Sequence, residues 1–214
     1  FVNKTIRTKS RTYTTAQYCG RIAGIIAGTP MTISCTYAPL PEVIGCDVWT
    51  KEEMDTMAGA GKLFFFFDGE KVKLARGINS LVTTVQDKGT SFQKIKLVDL
   101  MDMMHDDIRT TAQDHYLGKY ANSYANRCLL VTAIQGYLDQ LAQEGLLEQD
   151  QNTAYIDVES TKIWLESNGK YTKAELADMS DMDIKLANIG SNVFIAVKAS
   201  LLDAMEDVTI TINI

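Results

Sequence analysis

Paired cysteines at metal-ligand spacing are missing from this sequence: Cys19, Cys35, Cys46 and Cys128 show no C-x-x-C interval, and three of the four lie among apolar or small residues, the surroundings of buried free thiols. A reducing cytoplasm is the compartment such thiols fit. No apolar run approaches the roughly twenty residues that span a bilayer, so membrane insertion is not expected. A signal-peptide pattern is also absent, and Phe1 in place of Met leads to the expectation that a natural N-terminal portion precedes these residues. No G-x-S-x-G, P-loop or G-x-G-x-x-G occurs, so a nucleophile elbow and a mononucleotide cradle lack their backbone requirements. Charge of one sign is not in large excess either. A formal net charge of -6 with 22% charged residues suggests neither disorder nor extended phosphate binding, which disfavours a nucleic-acid partner.

What is present is enough apolar material for a sizeable core. With 214 residues and 46% hydrophobic content, folding should remove about 70% of the unfolded surface from water, in one large domain or two small ones. The charges are unevenly placed. Lys4, Arg7, Lys9, Arg11 and Arg21 make a basic opening, read as a solvated arm, whereas Asp99, Asp102, Asp106, Asp107 and Asp114 surround a single Arg109. Opposite patches on one molecule suit head-to-tail packing of identical copies.

Periodicity and caps predict the elements. Thr14 to Gly28 reads as a glycine-spaced helix ending before Pro30, Thr32 to Tyr37 as extended, and Pro39 to Gly45 as a loop. Thr50 with Glu53 makes a capping box for a helix from Lys51 to Ala60. Leu63 to Phe67, the turn Asp68-Gly69 and the alternation Val72, Leu74, Arg76 read as a hairpin, with Phe64 to Phe67 buried on both sides. After a loop at Gln86 to Ser91, Ile95, Leu97 and Val98 read as a strand feeding a helix from about Asp99 to His115. The strongest helix runs from Asn122 to Glu144, apolar over most of its circumference and therefore central to a core. A strand at Ala154 to Val158, a short helix around Ile163 to Leu165 and a capped turn near Met182 to Leu186 follow. Val193 to Leu201 and the alternating Val208 to Ile214 close the chain.

The best enzymatic candidate is Asp102, His105 and Asp106, which at spacings of three and four share one helix face and offer three ligands to a divalent metal, the site of a metal-dependent hydrolase. With no recognisable fourth ligand, an acidic solvent-facing stripe is the preferred reading, and no cofactor or metal is expected. His115, the only other histidine, fits a helix-end cap.

Several ordered phrases together resemble the contractile-tail sheath proteins of phages and phage-tail-like bacteriocins. They are Arg21-Ile22-Ala23-Gly24-Ile25-Ile26-Ala27-Gly28-Thr29-Pro30, Arg76-Gly77-Ile78-Asn79-Ser80-Leu81, and Lys94-Ile95-Lys96-Leu97-Val98-Asp99-Leu100-Met101-Asp102. Asp106-Asp107-Ile108-Arg109, Tyr116-Leu117-Gly118-Lys119, Asn122, Asn126-Arg127, Val193-Phe194-Ile195 and Asp203-Ala204-Met205-Glu206-Asp207 continue the order. The large surface insertions of bigger sheath proteins are absent. The resemblance implies no catalysis. It implies a subunit of a virion tail or phage-tail-like particle, assembled in the bacterial cytoplasm, that polymerises as stacked rings or a helix around an inner tail tube protein and contracts to drive the tube through a cell envelope. Baseplate and tail terminator proteins are its further partners. It also implies termini that add strands to a neighbour's sheet.

The sequence therefore predicts an α+β fold, a mixed β-sheet flanked by helices with strand-forming terminal extensions, divided into a core subdomain at 1–90 and a C-terminal domain at 91–214. The inter-subunit strand is Val208, Thr209, Ile210, Thr211, Ile212, Asn213 and Ile214, and Asp203, Ala204, Met205, Glu206 and Asp207 form its hinge. Lys119, Asn122 and Arg127 are the expected tube contact, with pairing of Arg127 to Asp99 or Asp102 as its structural alternative. A tube or baseplate protein is the other virion component such a pattern allows.

Overall fold

The computed structural model describes residues 1–86 and 89–212. Its helices and small antiparallel sheets make an α+β protein, divided into a first unit of Phe1–Asp102 with the tail from Asp203, and a second unit of Met103–Leu202.

In the first unit, β1 (Ile6–Thr8) pairs antiparallel with both β2 (Thr12–Tyr13) and β3 (Val43–Gly45). The basic opening is thus not a free arm. Its one strongly apolar residue, Ile6, is fully buried, and packs with Tyr18, Ile22, Leu40, Phe65 and Leu74. Tyr18 and Ile22 are four apart on one face of α1 (Thr15–Gly28), which opens with a Thr14–Gln17 capping box. The Thr50–Glu53 box starts α2 (Lys51–Gly59) as the spacing predicts. The expected hairpin forms between β4 (Phe65–Phe67) and β5 (Val72–Leu74), with Gly69 at φ +103 in its turn. Phe64 and Phe65 are buried while Phe67 is exposed, so the strand is covered only in part.

The outer backbone of β4 finds its partner in a side chain. Fully buried Asn3 donates Nδ2 to Phe65 O at 2.9 Å and accepts Phe65 N–H at Oδ1, also at 2.9 Å, reproducing a strand's donor and acceptor with one amide.

Helix α3 (Ile95–His115) starts earlier than its sequence suggests, and the boundary between the units falls within it. Ile95, Leu97 and Val98 are its first turn, not a strand. Extended backbone ends just before them, where Lys94 bridges Ile78 and Ile95 N–H bonds Gly77 O at 2.9 Å. Thr32 to Tyr37 is a series of turns, not a strand.

The second unit is built on α4 (Tyr124–Gln143), capped by Ser123, which buries Leu130, Ile134, Leu138 and Leu141. These recur at three or four residues, the stripe of a helix buried along its length. It packs against β6 (Thr153–Ile156), which pairs antiparallel with β7 (Ile195–Lys198). Gln135 stitches helix to strand, donating to Asn152 O at 3.0 Å and accepting Ala154 N–H at 2.9 Å. Between β6 and β7 lie α5 (Val158–Ser167), α6 (Lys173–Asp178) and α7 (Asp181–Leu186), each N-capped by an oxygen-bearing side chain and packed through Leu165, Leu176, Ile184 and Ile189. In place of the single mixed sheet expected, the described strands form three small antiparallel sheets. Besides hairpins, β1 with β3 and β6 with β7 pair across intervening helices, and both pairings are antiparallel.

Candidate functional site

The tail after the second unit returns to the first and is fixed there by charge. Glu206 is the centre of the attachment. Its Oε1 accepts from Thr36 Oγ1 at 2.5 Å and lies 3.0 Å from Ser34 Oγ, while Oε2 faces Lys94 Nζ at 3.3 Å and Arg76 Nη1 at 3.4 Å. Lys94 also pairs with Asp203, and Arg76 with Asp207. Bonding to Asp207 raises the Arg76 pKa, and its guanidinium holds the Asp207 carboxyl below the ordinary carboxylate range. At Lys94 burial pulls the pKa down, but the Asp203 and Glu206 carboxylates reverse the direction and raise it. Glu206, with its side chain 8% exposed, meets its cations shielded from water, where paired charges gain most and unpaired ones cost most, whereas the pairs of exposed Asp203 and Asp207 are screened by solvent. The receiving loop is tightly built. Thr36 Oγ1 also takes Gly77 N–H at 2.8 Å, and a Cβ on Gly77 would stand 2.9 Å from Cys35 Sγ.

Beyond this latch the tail is bare. Met205 is 97% exposed, Val208 75%, and Ile210 and Ile212 78% each. Among the described residues, 208–212 form no strand and no hydrogen bond. An alternating apolar segment with no buried face is therefore present on the surface, its root held at Glu206 and its own backbone groups unmatched. Asn213 and Ile214 lie outside the described residues.

The proposed tube-contact residues are differently placed. Lys119 Nζ donates to Asp114 O, and Asn122 Nδ2 bridges Gly190 O and Asn192 O at 2.7 Å each, tying the segment before α4 to the loop after α7. Arg127 is 4% exposed, so it is no surface cation. Among the described residues it makes one hydrogen bond, from Nη2 to Ala187 O at 3.4 Å. Nε and Nη1 have no partner, nor has Asn122 Oδ1. Both residues line a cavity of about 380 Å³ in the second unit, walled also by Tyr116, Tyr120 and Val193.

Asp102, His105 and Asp106 project from α3, where His105 Nδ1 lies 3.4 Å from Asp106 Oδ1 and Arg109 Nη2 lies 3.1 Å from the same oxygen. Among the described residues no group of three or more histidine, cysteine, aspartate or glutamate side chains is placed to hold a metal. No helix among them is long and apolar enough to cross a membrane.

The sequence reading missed the receptor of the latch, Ser34, Thr36, Arg76 and Lys94. Arg76 and Lys94 stand in the phrases that carry the family resemblance, but ion pairs across more than 100 positions leave no local spacing to detect.

Known proteins match both the sequence and the fold. Residues 87–214 match the family model of the phage tail sheath C-terminal domain. The tail sheath protein of Clostridium phage phiCD119 is 42% identical over 200 residues, covering 94% of this chain and 55% of its own length. The sheath tail protein of Desulfitobacterium hafniense shares the fold with a TM-score of 0.64 at 22% identity, over 73% of this chain and 38% of that one. A chain of the contracted-state PVC sheath complex of an extracellular contractile injection system gives 0.61 at 12% identity, over 90% and 49%. The chain thus spans about half the length of the curated relative it matches. With a family model over residues 87–214, more than half of it, and a relative this similar along nearly all of it, the chain belongs to the phage tail sheath protein family.

Proposed function

We propose that this chain is a structural subunit of a contractile tail sheath, polymerising around an inner tube and linked to neighbouring copies by its C-terminal segment. The observation that carries the reading is the bare alternating stretch Val208–Ile212 on a root fixed by Glu206. A segment with one apolar face and unmatched backbone groups gains most by joining another sheet as an added strand. In this reading Asp203–Asp207 is the hinge. Its latch sets where the strand leaves the body, while the strand is free to follow a moving neighbour.

Family membership supports the assembly, since its relatives are tail sheath components of phage or phage-like particles. The reading needs no catalytic step. Inner tube, baseplate and terminator proteins are the partners it requires, and the bacterial cytoplasm is the place of assembly it expects. Lys119, Asn122 and Arg127 enter as a tube contact, with Asn122 and Arg127 at the border of the cavity.

The test is negative-stain microscopy of concentrated protein, with and without residues 208–214. Stacked rings or hollow tubes from the parent and dispersed particles from the truncated chain are expected. Tubes from the truncated chain would overturn the linking role.

A further inference from the structure

We infer that the exposed surface of the β1–β2 hairpin, carrying Arg7, Lys9 and Arg11, docks on the acidic stripe of α3, Asp99, Asp102 and Asp106, of a second copy of this chain. The inference rests on the sheath reading and adds to it the two faces through which copies meet. Lys4, Arg7, Lys9 and Arg11 all precede Tyr13, and the sequence holds no acidic residue before Glu42. Glu42 is engaged by Arg21 at 2.7 Å, and Asp47 accepts the backbone N–H of Lys4 at 2.7 Å. Among the described residues none of the four cations pairs with a carboxylate, and all four are exposed.

Two of these cations are held in place. The Arg7 guanidinium lies across Gly45 of β3, where a Cβ would stand 2.8 Å from Nη2, and Arg11 sits over the Tyr13 ring at 4.3 Å. Tyr13 packs in turn against Tyr18 of the core, with ring centroids 5.4 Å apart. Docking therefore orders fewer side chains than a face of free lysines would require. On α3 the shortage is of cations. Asp99, Asp102 and Asp106 recur at three and four residues and so share one side of the helix. Among the described residues Asp102 pairs with no cation, and Asp106 faces only His105 and Arg109 of its own helix. Burial, and then the Asp102 charge, raise the Asp99 pKa, so a cation arriving from outside relieves the stripe. The two faces differ, so each copy offers one and receives the other. A contact of this kind repeats from copy to copy, as rings and helical stacks require.

Cross-linking reads the contact directly. Unlabelled parent protein is mixed with an equal amount of isotope-labelled parent, assembled and treated with a carbodiimide. The reagent joins a lysine amine to a touching carboxylate as an amide and takes up the released water as a urea. Peptides linking Lys4 or Lys9 to Asp99, Asp102 or Asp106 should appear with one member of each isotope. No such link, or links within one isotope only, would overturn the contact. Lys9→Glu with Arg11→Glu, and separately Asp102→Lys with Asp106→Lys, should each raise the concentration needed for assembly about tenfold or more, because like charges then meet. Melting temperatures near the parent's establish that both variants fold, as exposed charges allow. The chain carrying all four substitutions should recover most of that loss, since its reversed faces again attract. Unchanged assembly in either variant, or no recovery in the combined one, would overturn the docking. A parent that stays dispersed at every concentration overturns the sheath reading instead, and mixed-isotope links in that dispersed protein still decide whether the two faces meet.

Discussion

Thr36 donates its hydroxyl to the Glu206 carboxylate at 2.5 Å across 170 positions of sequence, while the same Thr36 oxygen accepts the Gly77 amide. One threonine therefore couples the tail to the loop that opens the Arg76-Gly77-Ile78 phrase. Glu206 also faces both Arg76 and Lys94, so its removal leaves two partly buried cations with weaker compensation. Glu206→Ala should lower stability by about 2 kcal/mol in urea denaturation. Glu206→Gln should recover part of the loss, because an amide oxygen still accepts from Thr36. Equal stability of Glu206→Ala and parent would show that the latch contributes nothing.

Removing 208–214 should leave the melting temperature of the unassembled chain almost unchanged, because Val208, Ile210 and Ile212 are exposed. Ile210→Asp with Ile212→Asp should behave alike in the monomer, yet prevent tube formation, since each charge would enter a buried face at a cost of several kcal/mol. Calorimetry and sedimentation read the two effects separately. A large fall in monomer melting temperature would place the segment in its own core.

Asn3→Ala should destabilise the first unit by about 3 kcal/mol, because it strands both the N–H and the carbonyl of buried Phe65. The loss would appear as early hydrogen exchange at the Phe65 amide. Slow exchange there in the variant would mean that another group has taken the amide's place.

Asp157 supplies a pH test. Bonding from Ser160 holds its carboxyl below the ordinary value of 3.8, as expected of a charged cap at the start of α5. A folded pKa below the unfolded one contributes stability fully present above the unfolded value and lost as pH falls through the folded value. Asn caps a helix about as well as Asp, so Asp157→Asn removes mainly the charge. The parent should be the more stable at neutral pH, and the gap should close as the pH falls below 3.8 and through the lowered folded value in denaturant titrations. A gap that persists unchanged in acid would remove the charge from the account.

Replacing Asp102, His105 and Asp106 together by alanine should shift the melting temperature by less than about 2 °C, because exposed charges make screened contacts. A chelator should leave the parent's melting curve in place. A large fall on chelation, with metal found by elemental analysis, would restore the hydrolase reading.

The features legible in the sequence were those written in short-range code. The Thr50–Glu53 box, the Asp68-Gly69 turn and the stripe of α4 are set within a few residues, and all appear in the structure. The strands at Ile6–Thr8 and Thr12–Tyr13 were hidden because their polar and basic residues give no apolar alternation: Ile6 is fully buried, and Tyr13 packs part-buried against the same core. Ile95 to Val98 misled for the opposite reason: a short apolar run fits a strand and a buried first helical turn equally well. At the candidate site, the alternation of Val208–Ile212 reads as a half-buried strand, whereas among the described residues it is exposed and forms no strand. The burial of Arg127 did not, because an arginine at the start of a helix reads as a surface cation until the loop after α7 is seen to cover it.

Asn3 shows how finely part of this fold is specified. Its side chain faces the Phe65 backbone with nitrogen opposite oxygen and oxygen opposite nitrogen. Conversion to aspartate, whether by a base change in the gene or by slow deamidation of stored protein, preserves shape and volume almost completely. It nevertheless sets an oxygen against the Phe65 carbonyl, two acceptors with no proton between them. The first unit therefore depends on the identity of a single atom, and a preparation's age could be read from the integrity of β4.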